Sequence, residues 1–283
     1  MLATSQAPST GAGAAAAASA TFLLETVVCD VHWTALQIGT LAMLLARART
    51  GEKNGLQSGR HLIHDDSKTM LLALRYAKEI GLGADIVARL NKTYRDVGDA
   101  KQKLAPVLEA SRSGRATQGL VQGHSEAWRR IAGEAAATIM QLQQATGSRL
   151  SAPYAADSGA LRQFLEKAAR GSTEAIDAAG VITTPKLQQR RQAPRLAISR
   201  TCTLMLPTGP VPARLEDVSL RGLGVVCDAP LTDRQKVTVV LEDGRQLEAV
   251  VARRRGPNIG LQLLSSLSTT DPLLNPSRGA GRR

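Results

Sequence analysis

Two short stretches hold the side chains whose types and spacing could do chemistry. The first, RRQAPR, puts Arg190, Arg191 and Arg195 within six residues, with Pro194 directly before the last. A proline removes a backbone N–H and biases the residue before it away from the helical region, so this run is a poor helix face. Forked guanidinium donors suit phosphate oxygens and the acceptor edge of guanine, and their planes can stack on a base. The second stretch, EDVSLRGLGV at 216–225, offers Asp217, Ser219 and Gly222 at the junction of two candidate strands. Its carboxylate complements the N–H groups on guanine's other edge. Its glycine lets the chain bend tightly or lets a ligand close in. Together the stretches suit a ligand that carries both guanine and phosphate.

The elements that must position these groups change character along the chain. From about residue 21 to 180 the apolar spacing is helical: Trp128, Ile131, Ala135, Ile139 and Leu142 step by three or four residues, the seam one helix lays against another. Ile86, Leu90, Tyr94, Val97, Leu104 and Leu108 repeat the pattern, with Lys101 interrupting and Pro106 placed to kink or restart the helix. Segments near 67–80 and 160–178 are amphipathic, with Gly81 and Gly180 as stops. The seams close either inside one bundle or across a homodimer.

After Gly180 the period falls to two, and strands are predicted at 198–206, 211–218, 222–227, 236–242, 245–254 and 258–264. Asp243-Gly244 predicts a two-residue type I′ hairpin turn. In NIGLQLL, Ile259, Leu261 and Leu263 share one face, and a closed barrel of these strands would leave no exposed edge. The expected fold is α+β in two domains, an all-α helical bundle followed by a six-stranded antiparallel β-barrel. The expected division is a disordered, low-complexity lead-in over 1–20, the bundle over 21–180, a linker over 181–189, the barrel over 190–274 and a basic tail over 275–283.

Composition narrows the function. The net charge is +12, and from Lys186 onward 16 Lys and Arg face 8 Asp and Glu, so +8 of it lies in the C-terminal part. Such charge attracts polyanions. Aromatic residues make up only 2%, so the stacking platforms of nucleic-acid binders are nearly absent and nucleic acid is not the expected partner. Cys29, Cys202 and Cys227 are odd in number and lack CxxC spacing, which argues against a disulfide framework and for core packing in a reducing cytoplasm. The apolar run Trp33–Ala46 is shorter than a bilayer needs, and His32, Asp30 and Glu25 lie upstream, so no transmembrane span is expected. His61, His64, Asp65 and Asp66 read as a polar helix entry in place of a metal site, and Arg253, Arg254 and Arg255 as a charged strand surface. No nucleophile elbow, Gly-Lys-Ser/Thr phosphate loop or framed carboxylate pair occurs, so no enzyme and no cofactor are expected.

RRQAPR followed by DVSLRG resembles the RxxxR and [D/N]xSxxG pair of the PilZ domain, the bacterial receptor module for cyclic di-GMP. The likeness covers roughly residues 187–270, including the closing VVARRRGPNIGLQLL, where the family often has a Phe and this chain has Leu263 or Leu264. It implies a barrel that binds cyclic di-GMP. Arg191 and Arg195 would grip phosphates and guanine, Asp217 would bond a guanine edge, Ser219 would contact phosphate or support the turn, and Gly222 would give clearance. Arg190 stands where the family decides between one ligand and an intercalated pair, and an arginine there leans toward the pair. Binding would order the Arg190–Arg195 segment and change how the helical domain is held, regulating an unidentified protein partner in the cytoplasm. The alternatives are a PilZ-like adaptor without nucleotide, acting through protein contacts, and a polyanion binder using Arg253–Arg255.

Overall fold

The computed structural model describes residues 10–49, 60–63, 68–112, 118–189, 194–268 and 271–274. The chain divides into two compact units, one of residues 24–192 and one of residues 193–283 with 1–23. Each is built from a different periodicity.

The helices are α1 (Thr10–Arg49), α2 (Arg60–Ile63), α3 (Lys68–Glu79), α4 (Ala84–Arg112), α5 (Gln118–Thr146) and α6 (Ala152–Ala169), and the helical unit takes α1 from residue 24 together with the other five. Helix α1 starts inside the alanine-rich stretch and residues 1–9 lie outside those described. The predicted seams are the buried ones: Trp128, Ile131, Ala135, Ile139 and Leu142 on α5, and Ile86, Leu90, Tyr94, Val97, Leu104 and Leu108 on α4. Lys101, which interrupts the second seam, is itself buried, and its Nζ donates to Gln37 Oε1 at 2.7 Å. Burial of an unpartnered cation would cost several kcal/mol, and this bond offsets part of that cost.

Further polar ties cross the interior. Tyr94 Oη donates to Asp30 Oδ2 at 2.7 Å, the hydroxyls of Thr93 and Thr138 meet at 3.1 Å, and His32 Nε2 lies 2.7 Å from Ser158 Oγ. Burial lowers the His32 pKa to about 4, partly offset by the Asp157 carboxylate, so the imidazole is neutral at physiological pH. Helix α1 over Ala20–Arg49 is long and apolar enough to cross a membrane by length and composition, and 78% of its most apolar window is buried in the protein.

Two helix boundaries differ from expectation. Helix α4 runs unbroken through Pro106, because Leu104, Val107 and Leu108 on either side are buried and their packing outweighs the missing hydrogen bond. Helix α6 stops at Ala169 and not near Gly180. Gly171, at φ 75°, takes the left-handed position after the helix, with its N–H bonded to Ala168 O and that of Ser172 to Lys167 O. Gly180 instead turns a small hairpin closed by the Ile176–Ile182 bridge, and Arg47 of α1 donates to the Asp177 and Ala178 carbonyls there.

The second unit is a closed antiparallel barrel in the order β1-β2-β3-β6-β5-β4. Its strands are β1 (Leu196–Leu206), β2 (Gly209–Ser219), β3 (Gly222–Val226), β4 (Lys236–Leu241), β5 (Gln246–Arg255) and β6 (Asn258–Leu263), each end within two residues of the prediction. Leu204, Leu215, Val218, Leu223, Val239, Val251 and Leu261 fill the interior. Cys202 and Cys227 are free thiols in this core, and burial pushes the Cys202 pKa up to about 11. Of the leucines ending β6, Leu263 is buried and Leu264 is 57% exposed, so Leu263 takes the core position. The β4–β5 connection corrects the predicted type I′ turn. Only Gly244 has positive φ, Gly244 N bonds to Leu241 O, and Leu241 N bonds to Arg245 O. That is a three-residue loop with a glycine bulge, and it spares Asp243 the left-handed conformation.

Gly39 of α1 tests the packing of the helical unit. A Cβ there would fall 2.3 Å from the Phe164 ring on α6. Replacing a helical glycine by alanine ordinarily gains about 1 kcal/mol. Here Gly39→Ala is expected to destabilise instead, by about 1–3 kcal/mol in urea unfolding, and Phe164→Leu in the same chain should restore part of the loss.

Candidate functional site

The site is built on the outer face of β2, β3, β6 and β5. Register pairs Asp217 with Gly224, Gly224 with Gly260, and Gly260 with Arg253, so one row crosses four strands. Irregularities between Leu215 and Asp217 on β2, and between Val251 and Arg253 on β5, sit at both ends of that row. A bulge shifts the alternation by one residue, which lets Leu215 and Val251 face the core while Asp217 and Arg253 face out.

Glycine at the two inner positions is what makes the row a depression. A Cβ on Gly224 would lie 2.6 Å from Asp217 Cγ, and one on Gly260 would lie 2.9 Å from Arg253 Cγ. The carboxylate and the arginine stem therefore lean over the backbone of the neighbouring strands. Together with Arg195, Glu216, Arg255 and Asn258 they line a pocket of about 140 Å³. Arg195 Nη1 donates to Asp217 Oδ1 at 2.5 Å, with the two side chains 21% and 32% exposed. Glu216 is held by Arg214 Nη2. The pocket thus presents three guanidinium groups against two carboxylates, both of which already have an arginine partner.

Of the residues predicted from sequence, the structure brings Arg195 and Asp217 together directly. Ser219 and Gly222 form the neighbouring cross-strand pair of the same β2–β3 connection. Ser219 is buried, its Oγ donates to the Gly222 carbonyl at 3.2 Å, and a Cβ on Gly222 would meet Leu261 O at 3.0 Å. These two residues hold the turn beside the pocket. Arg190 and Arg191 lie outside the described residues. What precedes them is fixed within the helical unit: Asp157 of α6, buried, accepts the backbone N–H groups of Gln188 at 2.7 Å and Gln189 at 2.9 Å, and Gln189 Nε2 donates to Tyr154 Oη at 3.0 Å.

Sequence reasoning missed Gly224 and Gly260, and read Arg253 and Arg255 only as part of a basic run, a charged strand surface or else a polyanion contact. The signal was a glycine at an outward position in each of two strands, which weakens a strand unless something must approach closely. It became readable only once register paired them. Arginine alternation was also informative: Arg253 and Arg255 line the pocket, whereas Arg254 turns to the carbonyls of Leu231 and Gly256.

Elsewhere a larger cleft of about 600 Å³ lies between α4 and α5, lined by Lys92, Asp96, Asp99, Lys103, His124 and Arg130 among others. Its charges are mixed, Lys92 is paired with Asp96 at 2.9 Å, and burial followed by the nearby Lys103 lowers the His124 pKa. Among the described residues no group of three His, Cys, Asp or Glu is placed to hold a metal ion. The side chains of His61, His64, Asp65 and Asp66 fall outside those described.

Comparison with known families agrees with this geometry. Residues 189–273, the C-terminal third of the chain, match the family model of the PilZ domain. PilZ domains form a family of cyclic di-GMP receptors, and theirs is a ligand-binding role. No curated protein matches the chain.

The clash built into Gly224 gives a direct test of the pocket floor. Gly224→Ala is expected to destabilise the barrel by about 1–3 kcal/mol in chemical unfolding. Adding Asp217→Ala removes the atoms it strikes, so the double variant should be more stable than the sum of the single losses by about 1 kcal/mol or more.

Proposed function

We propose that this chain is a bacterial receptor for cyclic di-GMP, and that nucleotide binding to its barrel is passed to the helical unit. The observation that carries the reading is the Arg195–Asp217 pair set over a glycine floor, at the end of a segment that begins with Arg190 and Arg191. A carboxylate that bonds one guanidinium in the free protein can accept guanine's N1–H and N2–H groups when the nucleotide arrives. Arg195 is then released to the phosphates. Arg191 joins it there or stacks on guanine, and Arg190 favours an intercalated pair of ligands. Ser219 and Gly222 keep the turn in shape beneath the phosphate.

Output follows from where the arginine segment starts. Its first residues come directly after Gln189, whose N–H is held by Asp157 on α6. Ordering of Arg190–Arg195 on the nucleotide pulls on that anchor, and helix α6 carries the change to a protein partner of the helical unit. The setting is the bacterial cytoplasm, where the messenger is made. The polyanion-binding alternative would bind with affinity that falls steeply with salt and is indifferent to Asp217.

Calorimetric titration at physiological salt with cyclic di-GMP, beside GTP, tests the reading. Saturable binding of cyclic di-GMP with GTP inert is expected, and the molar ratio separates one ligand from an intercalated pair. Arg195→Ala and Asp217→Ala each remove a charge-assisted hydrogen bond and should weaken binding by about 10- to 100-fold, from about 1.5–3 kcal/mol per bond. Absence of binding by the wild type would leave the barrel a scaffold for protein contacts.

The link to α6 has its own readout in hydrogen exchange. Nucleotide should slow exchange of α6 amides in the wild type. In Asp157→Asn, which keeps the shape and loses the charge, the Gln188 and Gln189 amides should exchange faster and the nucleotide effect on α6 should vanish. Binding at the barrel is expected to persist.

A further inference from the structure

The pocket contains a guanidinium that neither sequence motif accounts for. Arg253 makes no hydrogen bond or ion pair among the described residues, although it lies in the same pocket as Asp217 and Arg195. It is exposed, yet its place is specified twice. The irregularity between Val251 and Arg253 turns it outward, and Gly260 leaves room for its stem, with Cγ at 2.9 Å and Nε at 3.0 Å from where a Cβ would stand. A charged residue kept only for solubility needs neither device.

We infer that Arg253 is a specificity-determining ligand contact, reading the O6 and N7 edge of a guanine whose N1–H and N2–H edge is bonded by Asp217. This rests on the cyclic di-GMP reading above and names a contact outside its two motifs. Asp217 and Arg253 begin from strands three spacings apart, roughly 14 Å between backbones at 4.7–4.9 Å per strand. Both side chains lean inward over Gly224 and Gly260. The floor beneath them is glycine backbone, covered in the free protein by the Asp217 carboxylate and the Arg253 stem, and a planar base can lie on it once the two side chains swing to its edges. Guanine offers donors on one edge and two acceptors on the other, and the pocket offers a carboxylate at one end and a forked donor at the other. Adenine fails at both ends, because it lacks N2–H and places its N6 amino group, a donor, against the arginine. A lysine at 253 would keep the charge and lose the fork.

The test is titration of wild type, Arg253→Ala, Arg253→Lys, Gly260→Ala and, outside the pocket, Lys236→Ala with cyclic di-GMP and cyclic di-AMP, with thermal melting to show that each variant is folded. Arg253→Ala should weaken cyclic di-GMP by about tenfold or more, the size of a lost bidentate base contact, and narrow the preference over cyclic di-AMP. Arg253→Lys should recover little. Gly260→Ala should mimic Arg253→Ala by displacing the stem, and Lys236→Ala should keep the wild-type affinity and preference. If the wild type binds and Arg253→Ala binds with unchanged affinity and preference, or Arg253→Lys restores both, the inference is overturned and the receptor reading stands. If the wild type binds no cyclic di-GMP, both fall.

Discussion

A small closed barrel covers its outer surface with side chains, and a site that takes a flat ligand needs a place where they are missing. The Gly224–Gly260 pair supplies it. Two adjacent strands without side chains at one level leave a gap, and the neighbouring Asp217 and Arg253 fold over it instead of standing clear of the sheet. Replacing either glycine forces one of these groups away. The strand irregularities at both ends of the row serve the same end, since without them the residues that fill the core and those that flank the gap could not share one strand. Core packing and site geometry are therefore one arrangement: Leu215 and Val251 are buried because the chain shifts register next to Asp217 and Arg253.

The helical unit solves a different problem. Its seams are apolar in the usual way, but α1, α4, α5 and α6 are also joined by buried polar contacts at Asp30, His32, Gln37, Thr93, Tyr94, Lys101, Thr138 and Ser158. Such contacts add little net stability, because each exchanges water for a protein partner. They matter more for which helix faces which, since a shift of one turn would leave a buried charge or hydroxyl without a partner.

The sequence was most legible where a local pattern and a local stop coincide. Period two, Gly-containing turns and a length of five to ten residues set the strand ends closely, and the helical seams of α4 and α5 were read residue by residue. The failures share a cause, which is that tertiary packing chose among locally acceptable options. Gly171 and Gly180 are equally good stops, and the bonds to Ala168 and Lys167 decided for the first. Pro106 is a helix breaker that buried leucines override. Asp243-Gly244 fits two turn types, and strand register selected the one with a single left-handed residue. In the site, Arg195 and Asp217 were legible because they belong to a spaced motif. Arg253 was read only as one of a basic run, since its neighbours in the row, Gly260 and Gly224, are brought beside it by a hairpin and by register.

The Asp157 carboxylate gives the arginine segment a fixed origin. From Gln189 to Arg195 the chain can extend no farther than about 20 Å at 3.3–3.6 Å per residue. The link between that anchor and the first strand of the barrel is therefore short. A short tether keeps the local concentration of its residues high and makes the entropic cost of closing it small. It also limits how much slack the link can hold. An insertion of flexible residues here would leave every side chain of the pocket in place and still lengthen the reach between its two ends.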